Sequence, residues 1–266
     1  MWEILLPFLG FLIGTVAALT GIGGGVFIVP LLTLFYAFSP ANAAGTSLTV
    51  IVFTALASTL NYSKQRRISY RTGALLAVAT APGGILGVYL TTVISAKLLG
   101  AFFGFFVIIF VALPMSIDPN SIRLKHSSTS GAGKPATKSD SASFSSLRKM
   151  LLCAILSFLG GIASGLLGIG GGVLIVPILT LVVGMPIHFA TATSMFTMTF
   201  TSTSEAIQHY FAKQTNFEYA LLLALGTVLG AQVGAYLSKK TSGKNLRRIF
   251  GLVIVIVGVQ MILKYI

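Results

Sequence analysis

The chain has 266 residues, of which 55% are hydrophobic and only 9% charged, and its mean hydropathy is +0.93. A soluble domain carries about 25% charged residues, so this chain has too few polar side chains to cover a water-facing surface. That excludes a soluble enzyme, a secreted disulfide scaffold and a disordered tail, and it leaves a polytopic membrane protein. The net charge of +13, from 18 Lys and Arg against 5 Asp and Glu, would suggest nucleic acid in a soluble chain. Here the basic residues cluster between apolar runs, where Lys and Arg mark cytoplasmic loops, and no nucleic acid partner is expected.

In chain order, the first apolar segments fall at 2–20, 26–38, 42–62, 72–94 and 97–117. All are predicted helices, because open strands cannot satisfy their backbone groups in lipid. The first carries Glu3 and no basic flank and leads straight into a glycine motif, so a working helix is expected instead of a cleaved signal peptide. Segment 26–38 is too short to span: at ~1.5 Å per residue it covers about 20 Å of a ~30 Å hydrocarbon core. Residues 118–149 are rich in Ser, Thr, Gly and Lys and are expected to be a flexible linker. Its Gly133-Lys134 pair is followed by Pro135 where a phosphate loop needs Ser or Thr. Five further apolar segments follow, at 150–167, 173–185, 189–209, 219–237 and 246–264. The single Cys153 lies inside one of them, so no intrachain disulfide is possible and a packing role is expected.

The second set of segments repeats the first. Residues 21–32 read GIGGGVFIVPLL and residues 168–179 read GIGGGVLIVPIL, identical at ten of twelve positions and offset by 147. The same offset carries Thr46-Ser47 onto Thr193-Ser194, Gly83 onto Gly230 and Gly87 onto Gly234. The expected domains are therefore a first transmembrane repeat at 1–117, the linker at 118–149 and a second repeat at 150–266. Basic residues orient them. If the repeats are inverted, loops 64–71 and 238–248 and the linker share one side, which then holds 15 basic residues and leaves Lys97, Lys213 and Lys264 opposite. The positive-inside rule favours this arrangement, with a cytoplasmic linker and both termini outside. The expected fold is all-α, a polytopic membrane protein of two inverted repeats. Each has a glycine-interrupted short or re-entrant helix pair followed by three transmembrane helices. Inverted repeats with interrupted helices are a transporter design whose site lies near the midplane.

Gly21, Gly23, Gly24 and Gly25, with Pro30 beyond, allow a helix to open and expose backbone N–H groups. At a helix start such groups attract an anion. Gly168, Gly170, Gly171, Gly172 and Pro177 repeat the pattern, and the two breaks are expected to enclose one site. The competing reading, close helix packing, is the stronger one for Gly10/Gly14, Gly83/Gly87, Gly100/Gly104 and Gly226/Gly230/Gly234. Thr46, Ser47, Thr193 and Ser194 are candidates for hydrogen-bonding an oxyanion, with capping or back-bonding as the alternative.

Glu205 is the sole acidic residue deep in a span and aligns with Ser58. An intramembrane carboxylate is a functional candidate by default, and with Gln208 and His209 it could carry a coupling proton. Asn61 and Gln232 are polar positions that fit either this pathway or interhelical hydrogen bonding. No metal-ligand spacing, cofactor motif or catalytic triad is recognisable. The five acids, three His and one Cys are scattered, which argues against an enzyme.

The doubled GIGGG-V-x-I-V-P motif, each copy followed by an Ala-rich turn and Thr-Ser, resembles the sulfite exporter TauE/SafE family over both repeats. The resemblance implies transport of sulfur-containing anions such as sulfite or organosulfonates across the cytoplasmic membrane of prokaryotes. It places the family pattern on Gly21–Gly25, Gly168–Gly172, Thr46-Ser47 and Thr193-Ser194. The expected function is therefore a secondary transporter of a small sulfur anion, exporting it, with an uptake permease or passive channel as alternatives and a membrane enzyme or assembly factor as a remote one. The lipid bilayer is the other partner.

Overall fold

The computed structural model describes residues 5–109, 147–238 and 258–264, and these contain helices and no strands. Helices α1 (Leu6–Thr20), α2 (Gly25–Phe35), α3 (Pro40–Lys64), α4 (Tyr70–Val93) and α5 (Ala96–Val107) form the first set. Helices α6 (Leu147–Leu167), α7 (Gly172–Pro177), α8 (Ile187–Phe211) and α9 (Phe217–Leu237) form the second, and residues 258–264 are helical. Each lies on an apolar segment read from the sequence. Helix α6 begins inside the expected linker, and the remaining linker residues up to 146 lie outside the described residues.

Among the described residues, four helices are long and apolar enough to cross a membrane: Pro40–Lys64, Tyr70–Val93, Met150–Leu167 within α6, and Phe217–Leu237. Helix α8 matches α3 in length at 25 residues. It is more polar, because Thr, Ser, Glu205 and His209 fill its buried face. Local sequence sets the helix starts. Ser39 accepts a hydrogen bond from the Asn42 amide ahead of Pro40, and the Asn216 side chain accepts from the Glu218 and Tyr219 amides. The second short segment departs from the first. Helix α2 continues as α-helix past Pro30, whereas α7 stops at Pro177 and widens into a π-helical turn, Ile178–Val182. A proline ring removes one ladder bond and crowds the preceding turn, and the wider turn is a common response.

The described segments interlock, each repeat packing its outer helices on the other. Helix α1 packs on α9, and α4 packs on α6. Glycines make both contacts possible. A methyl added at Gly226, Gly230 or Gly234 would strike the carbonyl oxygen of Pro7, Phe11 or Thr15 in turn. At the equivalent pair, Gly83 and Gly87 face the carbonyls of Phe158 and Ile162, while Gly161 faces that of Thr80. These glycines are close-packing positions, as the competing reading had it. Between the two pairs, α3 and α8 lie against each other. Gly45 meets His209, and Thr59 shares a 3.3 Å hydrogen bond with Thr199, so the two helices run antiparallel.

The backbone obeys the 147-residue offset in detail. Left-handed φ values occur in five pairs: Gly21 and Gly168, Gly23 and Gly170, Gly24 and Gly171, Ala37 and Gly184, Arg66 and Lys213. Such values are costly outside glycine, so their recurrence reflects a shared chain path.

Candidate functional site

The helix opens where the sequence places the glycines. Gly21, Gly23 and Gly24 have φ of 77°, 95° and 87°, and Gly168, Gly170 and Gly171 have 71°, 76° and 75°. Helix α1 ends at Gly21, whose N–H bonds the Ala17 carbonyl, and α6 ends the same way, Gly168 bonding Ser164 at 2.8 Å. Gly24 and Gly171 then serve as left-handed N-caps of α2 and α7.

The two breaks meet each other. A Cβ on Gly25 would run into the Gly168 carbonyl, and one on Gly172 would lie 2.5 Å from the Gly21 carbonyl oxygen. Glycine is required there by the approach of one backbone to another. The crossing is held by reciprocal hydrogen bonds. Ser47 Oγ donates to the Gly168 carbonyl at 2.7 Å, and Ser194 Oγ donates to the Gly21 carbonyl at 2.9 Å. Thr46 Oγ1 accepts from the Asn216 amide at 3.0 Å, and Thr193 Oγ1 accepts from the Ser69 amide at 3.1 Å. All four hydroxyls are fully buried. The alternative of hydroxyls bonding only to their own helix does not describe them, since each reaches across to the other repeat.

Two side chains fill the crossing and were not singled out by sequence. Met198 lies against Gly23, Gly170 and Gly172, and its equivalent Ile51 lies against Gly25 and Gly170. Both stand near the middle of 25-residue helices, so the crossing sits half-way along the longest helices. In the sequence they read only as apolar wall residues.

The polar candidates divide into two groups. Glu205 and His209 belong together on the buried face of α8. Ser164 Oγ donates to Glu205 Oε2 at 2.7 Å, and the other oxygen, Oε1, has no hydrogen-bond partner. His209 Nε2 lies 3.0 Å from the Gly165 carbonyl. A carbonyl only accepts, so this ring nitrogen donates. His209 Nδ1 contacts the Gln214 side chain at 2.8 Å, and Gln214 accepts from Thr91 at 2.8 Å. Asn61 and Gln232 form a separate pair between α3 and α9. Asn61 donates to Gln232 Oε1 at 3.0 Å, and Gln232 donates to the Ala57 carbonyl at 2.9 Å. Gln232 is exposed, and this pair is an interhelical clasp. Gln208 is half-buried and joins neither group.

Ser164 escaped the sequence reading because it is 41 residues from Glu205, and Gln214 because it lies in the turn beyond α8, where it reads as a loop residue. Ser164 stands among Gly160, Gly161 and Gly165, where it reads as one more small packing residue. An open cleft of about 450 Å³ lies at the chain ends of α3 and α8, lined by Ser39, Asn42, Lys213, Thr215 and Asn216 among others. Its walls include none of the break glycines. Among the described residues no cluster of His, Cys, Asp and Glu could hold a metal ion.

Long apolar helices, paired breaks half-way along the fold and a buried carboxylate without a basic partner define a helical membrane transporter. Comparison with known proteins is specific about which kind. The family profile described as "Sulfite exporter TauE/SafE" matches residues 6–261, and the chain belongs to that family. It is 34% identical over 272 residues to the "Probable membrane transporter protein YunE" of Bacillus subtilis (strain 168), covering 97% of each chain. It is 27% identical over 281 residues to a probable membrane transporter protein of Methanocaldococcus jannaschii, covering 98% of this chain and 96% of the relative. A shorter match, 31% over 105 residues, is to "Sulfite exporter TauE/SafE family protein 3" of Arabidopsis thaliana, covering 40% of this chain and 22% of that one. No solved structure matches.

Proposed function

We propose that this transporter is a secondary carrier that moves a small sulfur-containing anion, sulfite or an organosulfonate, out across the cytoplasmic membrane. The observation that carries the reading is the reciprocal crossing of the two glycine breaks, each locked to the other repeat by a serine. Gly21, Gly23, Gly24 and Gly25 with Gly168, Gly170, Gly171 and Gly172 line the anion path. Opening of the crossing frees the backbone N–H groups after each break and the hydroxyls of Thr46, Ser47, Thr193 and Ser194. Neutral donors and helix dipoles then hold the anion. Holding an anion through neutral donors suits a site that must release what it binds.

The antiparallel run of α3 against α8 supports inverted repeats, and the distribution of basic residues supports a cytoplasmic linker with both termini outside. The family membership supports the substrate class, and the sparse, scattered nucleophiles and acids support transport without catalysis.

Flux of sulfite and of a small organosulfonate into proteoliposomes of the purified chain tests the reading. Gly24→Leu and Gly171→Leu put a bulky side chain at left-handed positions and are expected to abolish flux while protein remains in the membrane. Normal transport by both variants overturns the site. Single cysteines at Ser128 and Thr215 in a Cys153→Ser background are expected to label from opposite sides, and labelling from the same side overturns the topology.

A further inference from the structure

Offset by 147 residues, the buried face of α8 and that of α3 carry the same scaffold but different chemistry. On α8, Ser194, Met198, Glu205 and His209 share one face by their spacing. That face runs from the glycine crossing, where Ser194 bonds the Gly21 carbonyl, to the helix end, where His209 bonds the Gly165 carbonyl. Three oxygens on it are buried without a hydrogen-bond partner: Thr201 Oγ1, Ser202 Oγ and Glu205 Oε1. Thr201 and Ser202 stand four and three residues before Glu205, the spacing at which helical side chains are neighbours. All three residues are fully buried. The first repeat has Thr54, Ala55 and Ser58 in their places, and there Thr54 and Ser58 bond back to their own helix at 3.0 and 2.8 Å.

We propose that Glu205, held by Ser164, forms a proton-binding site in the second repeat, carrying the proton whose movement is coupled to that of the anion. An ionised carboxylate here would have one hydrogen bond, from Ser164, and no cation. Burying such a charge unpaired is strongly unfavourable. The neutral acid is the form this pocket accommodates: Oε2 accepts from Ser164, and Oε1 lies against Gly84 with no donor or cation among the described residues to stabilise a charge. The packed arrangement therefore holds a proton taken from water on one side. When α6 and α8 separate enough to hydrate the carboxyl, the proton returns to water on the other. Among titratable groups on the helices around Glu205, His209 is one turn along α8 and already bonded to Gly165 and Gln214. On α6, Cys153 is three turns from Ser164; on α4, Tyr70, Arg71 and Tyr89 are exposed. On α3, Tyr62 bonds the Ala18 carbonyl and Lys64 is exposed. None forms an ion pair with the carboxyl.

This assignment deepens the carrier reading and rests on it for the coupled substrate, so the experiment has one arm that needs no substrate. Infrared titration of the purified chain is expected to show a protonated-carboxyl band at neutral pH that vanishes in Glu205→Gln. With five acidic residues in the chain, one lost band is readable. In proteoliposomes, an organosulfonate that stays ionised throughout is driven by an imposed pH gradient. Glu205→Gln is expected to lose that gradient-driven uptake down to the level of empty vesicles, while exchange of labelled for unlabelled organosulfonate continues. Absence of the native band, a band that responds to sodium and not to pH, or undiminished gradient-driven uptake by Glu205→Gln each overturns the proposal. If the native chain shows the band but moves no sulfur anion, the substrate reading falls and the proton site stands.

Discussion

The face of α8 from Ser194 to His209 and the face of α3 from Ser47 to Tyr62 occupy equivalent places in an interlocked pair of repeats. Their ends match closely. Ser47 and Ser194 clamp the opposite break, and Tyr62 donates to the Ala18 carbonyl at 2.6 Å where His209 donates to Gly165. Arg67 reaches Ser238 at 3.4 Å where Thr91 reaches Gln214. Between these ends the two faces part. Around the α3 face stand Ala17, Ala55, Ser58 and Ala231, and around the α8 face stand Ser164, Ser202, Glu205 and Gly84. The differences are coordinated: the larger, ionisable side chain comes with a hydroxyl to bond it and a glycine to make room for it. The serines and glycines that hold the repeats together are therefore shared, and these four differing positions gather around one carboxyl.

The shared positions should break symmetrically and badly. Gly25→Ala and Gly172→Ala each drive a methyl into a backbone carbonyl of the other repeat. Backbone has no rotamer to yield, so each should cost more than the ~1–3 kcal/mol of ordinary overpacking. Both are expected to lose folded protein to a similar extent, read as recovery of a single species after detergent extraction. A large effect at one and none at the other would mean that the breaks do not support each other.

The differing positions should break on one side only. Gly84→Ala places a methyl on the Glu205 carboxyl, an overpacking worth roughly 1–3 kcal/mol. Ala231→Gly, at the equivalent place, should cost only about 0.5–1 kcal/mol through backbone freedom. The double variant Gly84→Ala/Glu205→Ser reproduces the Ser58–Ala231 combination of the α3 face and is expected to recover most of the loss in thermal unfolding. Additive costs would deny the contact, because coupled neighbours are non-additive. Ser164→Ala should likewise cost about 1–3 kcal/mol by leaving a buried carboxyl without its donor, while Ala17→Ser changes little.

How far the sequence reached follows the same division. Repetition, apolar run length and the glycine motif were legible because they are properties of contiguous residues, and α1 to α9 appear where those runs lie. The roles of Thr46, Ser47, Thr193 and Ser194 were not, because their partners are on the other repeat and spacing within a helix is silent about them. Ser47 and Ser194 brace the crossing through carbonyls 121 and 173 residues away in the chain. Met198 was invisible for another reason, since a thioether in an apolar span has nothing to mark it off from its neighbours.

That bracing makes a moderate prediction. Ser47→Ala and Ser194→Ala each remove one hydrogen bond to a buried carbonyl, worth about 0.5–1.5 kcal/mol. Equal losses in thermal unfolding are expected. A clear inequality would locate the asymmetry of the repeats at the crossing instead of at Glu205.

The smallest effect comes from the one left-handed pair that exchanges alanine for glycine. Ala37 at φ 56° and Gly184 at φ 78° occupy the same turn of the two repeats, and both are exposed. Nothing lies within 4 Å of a Cβ added at Gly184, so space does not decide the outcome and backbone conformation does. An L-residue in this region costs about 1–2 kcal/mol relative to glycine, against roughly 0.4–1 kcal/mol of extra freedom that glycine gives the unfolded chain. Ala37→Gly should therefore raise stability by a net few tenths to about 1 kcal/mol, and Gly184→Ala should lower it by the same amount. Opposite and equal shifts in melting temperature would establish that the two turns are the same physical object. Two losses would mean that Ala37 makes a contact in its own turn that the repeat symmetry does not supply to the other.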